Sequence, residues 1–195
     1  MSSIALDAPA GIDARLGWDP KVTAHDRKRA LARELVAERL GVSERDVLIV
    51  REAPGSFGFH TQLVAEIDGD VVPLTIRNIS FRAATVVAIG EPGLAFGLDL
   101  RDAQPDPDTL AEMRRHSHIF NEDDTAALVH HWTRVQAVRD ADGRGTRVAA
   151  EHVRLDAGGR RGWIPDRRAR YDVVDLSRDG WVISLAVARP ASDED

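Results

Sequence analysis

The chain has 195 residues, with 32 Asp and Glu against 26 Lys and Arg, a formal charge of -6. That balance argues against general nucleic-acid binding, which calls for a basic face. The absence of cysteine removes disulfides, thiolate metal ligands and thiol nucleophiles. No apolar run reaches the length of a membrane span, and no basic stretch followed by an apolar one marks a secretory signal. The expectation is a cytoplasmic protein with no membrane partner, large enough for one good core or two small lobes.

Met1 to Trp18 has weak periodicity; a short strand or an arm is expected around Ile12, with a loose tip. Thr23 to Leu40 reads as a helix. Thr23 and Asp26 have capping-box-like spacing, Leu31, Leu35, Val36 and Leu40 form a stripe, and Gly41 ends it. Val47 to Val50 is a short buried strand, followed by a glycine-rich loop from Ala53. Gln62 to Ile67 and Val71 to Ile76 flank Asp68-Gly69-Asp70, a hairpin signal. Thr85 to Ile89 and Phe96 to Leu100 are further strands. A proline- and aspartate-containing linker, Pro105 to Asp108, leads to a helix over Thr109 to His118.

The segment Asn121 to Gly145 is the most strongly patterned in the chain. Asn121 is expected to cap a helix whose first turn carries Glu122, Asp123 and Asp124, favourable at the positive end of the helix dipole. Leu128, Trp132, Val135 and Val138 recur at helical spacing and should face a core. Asp142-Gly143-Arg144-Gly145 ends the helix. Beyond it, Arg147 to Leu155 alternates like a strand and residues 157–162 read as a loop. Tyr171 to Leu176 and Trp181 to Ala188 form a hairpin, and Pro190 to Asp195 is an acidic tail. The order of helix then strands occurs twice. The expected fold is therefore α+β, with two pseudo-symmetric lobes at 1–102 and 103–195, each a long helix packed on a small antiparallel sheet.

These residues resemble the 4′-phosphopantetheinyl transferase superfamily in its two-lobed, surfactin-synthetase-activating form, over about Ala24 to Ala188. Phe96-Gly-Leu-Asp-Leu-Arg101 falls on that family's Gly-x-Asp-x-Glu strand. Phe120 and Asp124 match a Phe-x-x-x-Glu segment. Trp132 to Gly145 follows Trp-Ser/Thr-x-Lys-Glu-x-x-x-Lys-x-x-Gly-x-Gly without gaps. Pro73 to Ser80 falls where the family has a strand leading into Ser-His-Ser. The resemblance implies a cytoplasmic monomer that moves the phosphopantetheine arm of coenzyme A onto a serine of an acyl or peptidyl carrier protein. It implies Mg²⁺ and coenzyme A as cofactors, Asp99 as metal ligand, and Asp99 and the position of Gln136 as catalytic. Arg101, Arg134, Arg139 and Arg144 are the cations available to the coenzyme.

Several positions depart from the family pattern. Arg101 stands where a second metal carboxylate belongs, and Gln136 where a glutamate belongs. Val135 and Asp140 replace lysines, Phe81 replaces the Ser-His-Ser histidine, and the Gly-Lys-Pro loop has no equivalent in Pro54 to Gly58. A glutamine donates an oxygen ligand but is no carboxylate base. The residues alone therefore leave two readings for Asp99: a Mg²⁺ ligand, or a carboxylate paired with Arg101, a guanidinium able to take the metal's place. They likewise leave two readings of function: the transferase, or a homologue that binds a carrier protein or coenzyme A-like ligand without transfer. Trp132 reads as core and Ser80 as a strand-end hydroxyl. His116, His118, His130 and His131 do not converge at helical spacing. The arginines from Arg160 to Arg170 are a solvated loop or a surface for an acidic carrier.

Overall fold

The computed structural model describes residues 1–51, 63–115 and 124–189. The glycine-rich loop after Ala53, Asn121, Phe120, His116, His118 and the acidic tail lie outside the described residues. The fold is α+β, with helices and two antiparallel sheets. The chain divides into compact units at 1–94 and 95–195. The division falls ahead of residue 102 because the strand carrying Asp99 pairs along its whole length with the strand Trp181–Ala188.

In the first unit, helix α1 (Ala24–Leu40) begins where expected. The Thr23 hydroxyl accepts the Asp26 N–H at 3.1 Å and donates to the Asp26 carboxylate at 2.7 Å. Gly41, at φ 67°, ends the helix and sends its N–H to the last carbonyls, a conformation that costs glycine no Cβ clash. Strands β1 (Ser2–Leu6), β2 (Ile12–Trp18), β3 (Val47–Arg51), β4 (Leu63–Ile67), β5 (Asp70–Val71), β6 (Thr75–Phe81) and β7 (Ala84–Gly90) form one sheet in the order β1-β2-β7-β6-β4-β3, with β5 on β4. The expected strand from Val71 to Ile76 is broken after Val71, since Pro73 has no N–H for a ladder. Leu31, Ala32, Leu35 and Val36 of α1 are buried with Val47, Ile49, Ile76, Val87 and Ile89, and burying each larger side chain contributes about 1.5–3 kcal/mol.

Arg27 of α1 is also buried there, 2% exposed. It donates to the carbonyls of Asp19, Val22 and Arg82 and to the Thr85 hydroxyl. Ser80 shares its hydroxyl hydrogen bond with Thr85 at 2.9 Å, the strand-end role expected of it.

In the second unit, β8 (Phe96–Asp102), β9 (Arg154–Leu155), β10 (Arg161–Trp163), β11 (Arg170–Asp175) and β12 (Trp181–Ala188) form a sheet in the order β8-β12-β11-β10-β9. Helix α2 (Pro107–Arg115) is followed by α3 (Thr125–Ala141), which packs on β8, β12 and β11. The cap of α3 is Asp124 rather than Asn121; its carboxylate accepts the N–H groups of Ala126 and Ala127. Leu128, Trp132, Val135 and Val138 are all buried in its core, as their spacing predicts. The strand expected from Arg147 to Leu155 is instead two 3-10 turns, Gly145–Arg147 and Ala150–His152, leading into the two residues of β9.

Helix α3 approaches β8 closely at Gly97. A Cβ there would lie 2.2 Å from the Ala141 nitrogen and 2.6 Å from the Ala137 carbonyl, so the helix backbone sits directly on the strand. Gly97→Ala is expected to lower stability by about 3 kcal/mol or more, an overpacking cost against immovable backbone. Gly158→Ala, with its nearest atom at 3.9 Å, should change stability by about 0.5 kcal/mol or less. Urea unfolding of the two variants checks this, and equal midpoints would contradict the packing.

Candidate functional site

Alternation along β8 puts Gly97, Asp99 and Arg101 on the face toward α3. Ser184 of β12 is the register partner of Asp99, and its hydroxyl meets that of Thr133 in α3 at 2.9 Å. Helix α3 contributes Gln136, Arg139 and Asp140 to the same neighbourhood. Asp140 accepts the Leu98 N–H of β8 at 3.0 Å, pinning the helix to the strand next to Asp99.

Asp99 is 3% exposed. Its Oδ1 lies 3.2 Å from Arg101 Nη1, which also donates to the Leu100 carbonyl at 2.8 Å. Its Oδ2 has no hydrogen-bond partner among the described residues. Burial dominates the acid: despite the neighbouring charge of Arg101, the carboxyl is pushed up from 3.8 to about 7, with Asp140 adding to the rise and Arg139 opposing it. Arg139 donates to Gln136 Oε1 at 2.6 Å, while Gln136 Nε2 and Arg139 Nε are buried without hydrogen-bond partners among the described residues. Burial lowers the Arg139 pKa, offset in part by Glu151 and Asp99. Asp99, Arg101, Gln136, Arg139 and Asp140 thus make one polar cluster, with the acid at its base and the longer side chains half-buried above it.

Two residues expected at this site engage other carboxylates. Arg134 lies 4.0 Å from Asp175 and against Gly159. Arg144 grips Asp166 through two nitrogens at 2.6 and 2.9 Å and also contacts Asp142. Asp142 in turn accepts from Tyr171, whose hydroxyl is pushed up to about 12 by burial and by that carboxylate. This network ties the end of α3 to the segment before β11 and uses Arg144 structurally. The pattern Asp142-Gly-Arg144 was visible in sequence, but its partners Asp166 and Tyr171 are distant in the chain. Val135, where the resemblance calls for a lysine, is 1% exposed and packed in the core. His130 lies 3.2 Å from Asp175, and burial together with Arg134 pushes the His131 imidazole down to about 4.

Among the described residues no group of three or more His, Asp or Glu side chains is arranged to hold a metal. Mg²⁺ takes near-octahedral oxygen ligands, whereas the two carboxylates of this cluster are Asp99, already facing a guanidinium, and Asp140, which accepts a backbone N–H. The residues fit an arginine at this position better than a divalent cation. The chain matches no protein family and no curated protein.

The raised pKa of Asp99 has a definite sign for stability. The unfolded chain releases this proton near 3.8 and the folded chain near 7, so the unfolded state binds fewer protons in between. Stability from this group is highest below about pH 4, falls as pH rises to about 7, and is level above that. Asp99→Asn should remove that slope. Urea midpoints of the two proteins between pH 4 and 7 test it; parallel curves would show that Asp99 is not held neutral by burial.

Proposed function

We propose that the chain is a phosphopantetheinyl transferase-like protein, of the two-lobed type, that holds a coenzyme A-like ligand at the Asp99 cluster without transferring the arm. The observation that carries this reading is the Asp99–Arg101 pair at 3.2 Å. It places a fixed cation where the resemblance calls for a second metal carboxylate. Two half-buried guanidinium groups, Arg101 and Arg139, are suited to bidentate pairing with a pyrophosphate. The Asp140 carboxylate accepts a backbone N–H, which moderates its repulsion of such a ligand. The fold-level resemblance is supported by a 17-residue helix on an antiparallel sheet in each unit.

Transfer itself is the second reading. It is favoured by Asp99 on a strand that resembles Gly-x-Asp, whose buried Oδ2 has no hydrogen-bond partner among the described residues. In that reading an acyl or peptidyl carrier protein is the acceptor and Mg²⁺ the metal.

Incubation with coenzyme A, Mg²⁺ and several apo carrier proteins separates the two. Mass spectrometry should show no gain of the arm on any carrier, and calorimetry should show coenzyme A binding of similar strength in Mg²⁺ and in EDTA. The double variant Arg101→Glu with Gln136→Glu should convert that binding to Mg²⁺ dependence. Robust arm transfer by the unaltered chain would establish the transferase reading instead.

A further inference from the structure

The sheet of the first unit ends on a strand with an open edge. β3 pairs with β4 along its whole length and with no other strand among the described residues. The register settles which of its backbone groups face outward. The Ala65 carbonyl of β4 accepts the Val72 N–H at 2.8 Å, so Ala65 points its N–H and C=O away from β3. These groups alternate in direction along a strand, so Glu66 and Val64 point theirs toward β3, at their partners Leu48 and Val50. Ile49, opposite Ala65, therefore turns its N–H and C=O to the open edge, together with the C=O of Val47 and the N–H of Arg51. The Val47 N–H lies on that side as well and is taken by the Glu44 carbonyl.

Natural sheets blunt such an edge with proline, charge or a bulge. Val47, Leu48, Ile49 and Val50 are neither proline nor charged, and their register with β4 runs without a bulge. Val47 and Ile49 face α1 and are buried with it. Leu48 and Val50 are on the opposite face. There Leu48 is 55% exposed, and Val71, in the same cross-strand row beyond Glu66, is 63% exposed.

We propose that β3 is the contact through which two copies of this chain associate, antiparallel about a two-fold axis at Ile49, so that their sheets join. The backbone pattern is self-complementary in that register. Each Ile49 N–H meets the other copy's Ile49 carbonyl, and each Arg51 N–H meets the other's Val47 carbonyl. Leu48 of each copy lies across from Val50 of the other, in a non-hydrogen-bonded pair, where facing side chains come closest. The row Val71, Glu66, Leu48 then continues into Val50 and Val64 of the second copy, which gives Leu48 an apolar neighbour on its open side. With no charge from Val47 to Val50, the edge does not select a partner of opposite charge; it matches a copy of itself, as an isologous contact requires. One short strand with its flanking side chains buries less than the roughly 1,200 Å² of a standard stable complex, so the dimer is reversible and forms at micromolar concentration and above. It differs from the monomer that the family resemblance implies.

Sedimentation velocity of the full chain across the micromolar to submillimolar range should show monomer giving way to dimer. Leu48→Glu should raise the midpoint concentration at least tenfold with an unchanged thermal melt. Val71→Glu, at a similarly exposed residue outside the pairing, should leave the midpoint in place. The chain has no cysteine, so cross-linking reads the register. Leu48→Cys mixed with Val50→Cys under mild oxidation should give a covalent dimer, because facing residues of such a pair have Cα atoms about 4.5 Å apart, a distance a disulfide spans. Either variant alone sets its thiol-bearing residues diagonally, about 7–8 Å apart, too far to bridge, and should stay uncross-linked. A chain that remains monomeric throughout, equal loss from Leu48→Glu and Val71→Glu, or as much cross-link from one variant alone as from the mixture would overturn the proposal. Neither coenzyme A nor Asp99 enters the test, so its outcome is independent of the function proposed for that site.

Discussion

The contact between the α3 backbone and Gly97 governs the second unit. With no side chain at that position, the helix lies on β8 closely enough for Asp140 to take the Leu98 N–H at 3.0 Å. Asp99, the next residue on the same face, is thereby sealed beneath the helix, and Gln136 and Arg139, at one-turn spacing, are brought over it. A wider helix–strand spacing would admit water to Asp99, and its carboxyl would return toward its ordinary range. The chemical character of the cluster is thus a consequence of one missing Cβ.

Burial and pairing compete at Asp99, and their magnitudes decide what the cluster can do. Removing a carboxylate from water costs several kcal/mol, and a single neighbouring guanidinium recovers only part of it. The outcome is an acid poised near neutrality beside a permanently charged arginine. Such a pair favours ligands that bring their own negative charge to Arg101 and Arg139 over a divalent ion, which needs several oxygens that Arg101 and Gln136 do not supply. The pyrophosphate proposed for this site is a ligand of that kind.

What sequence reading could reach divides along a physical line. Features set within a few residues were legible: the Thr23 cap and Gly41 stop of α1, the buried stripe of α3, and the Asp99–Arg101 pair, two residues apart on one strand. Features set by distant partners were not. β1 lacks periodicity of its own and is a strand because β2 pairs with it from Ser2 to Leu6. β10 falls in a segment rich in arginine and glycine, and Gly162 is there to clear Val138, a contact invisible in the local pattern. Arg144 was expected as a cation for the coenzyme, yet Asp166, 22 residues on, claims it. Asn121 and Asp124 are both good caps, and local sequence could not choose between them.

Arginine, far more frequent here than lysine, is used in three physically different ways. Arg27 is buried, with no carboxylate partner among the described residues and its charge shared among backbone carbonyls and a hydroxyl, an arrangement suited to the planar fork of a guanidinium. Arg101 and Arg144 are spent on nearby acids, one inside the polar cluster and one clamping the end of α3. Arg161 and Arg170 stay on an open sheet face beside Trp163, where the acids of the same stretch are occupied elsewhere. The first two uses hold the fold and shape its interior chemistry. The third leaves guanidinium groups exposed to solvent, so the overall acidity of the chain does not describe this face of the second unit.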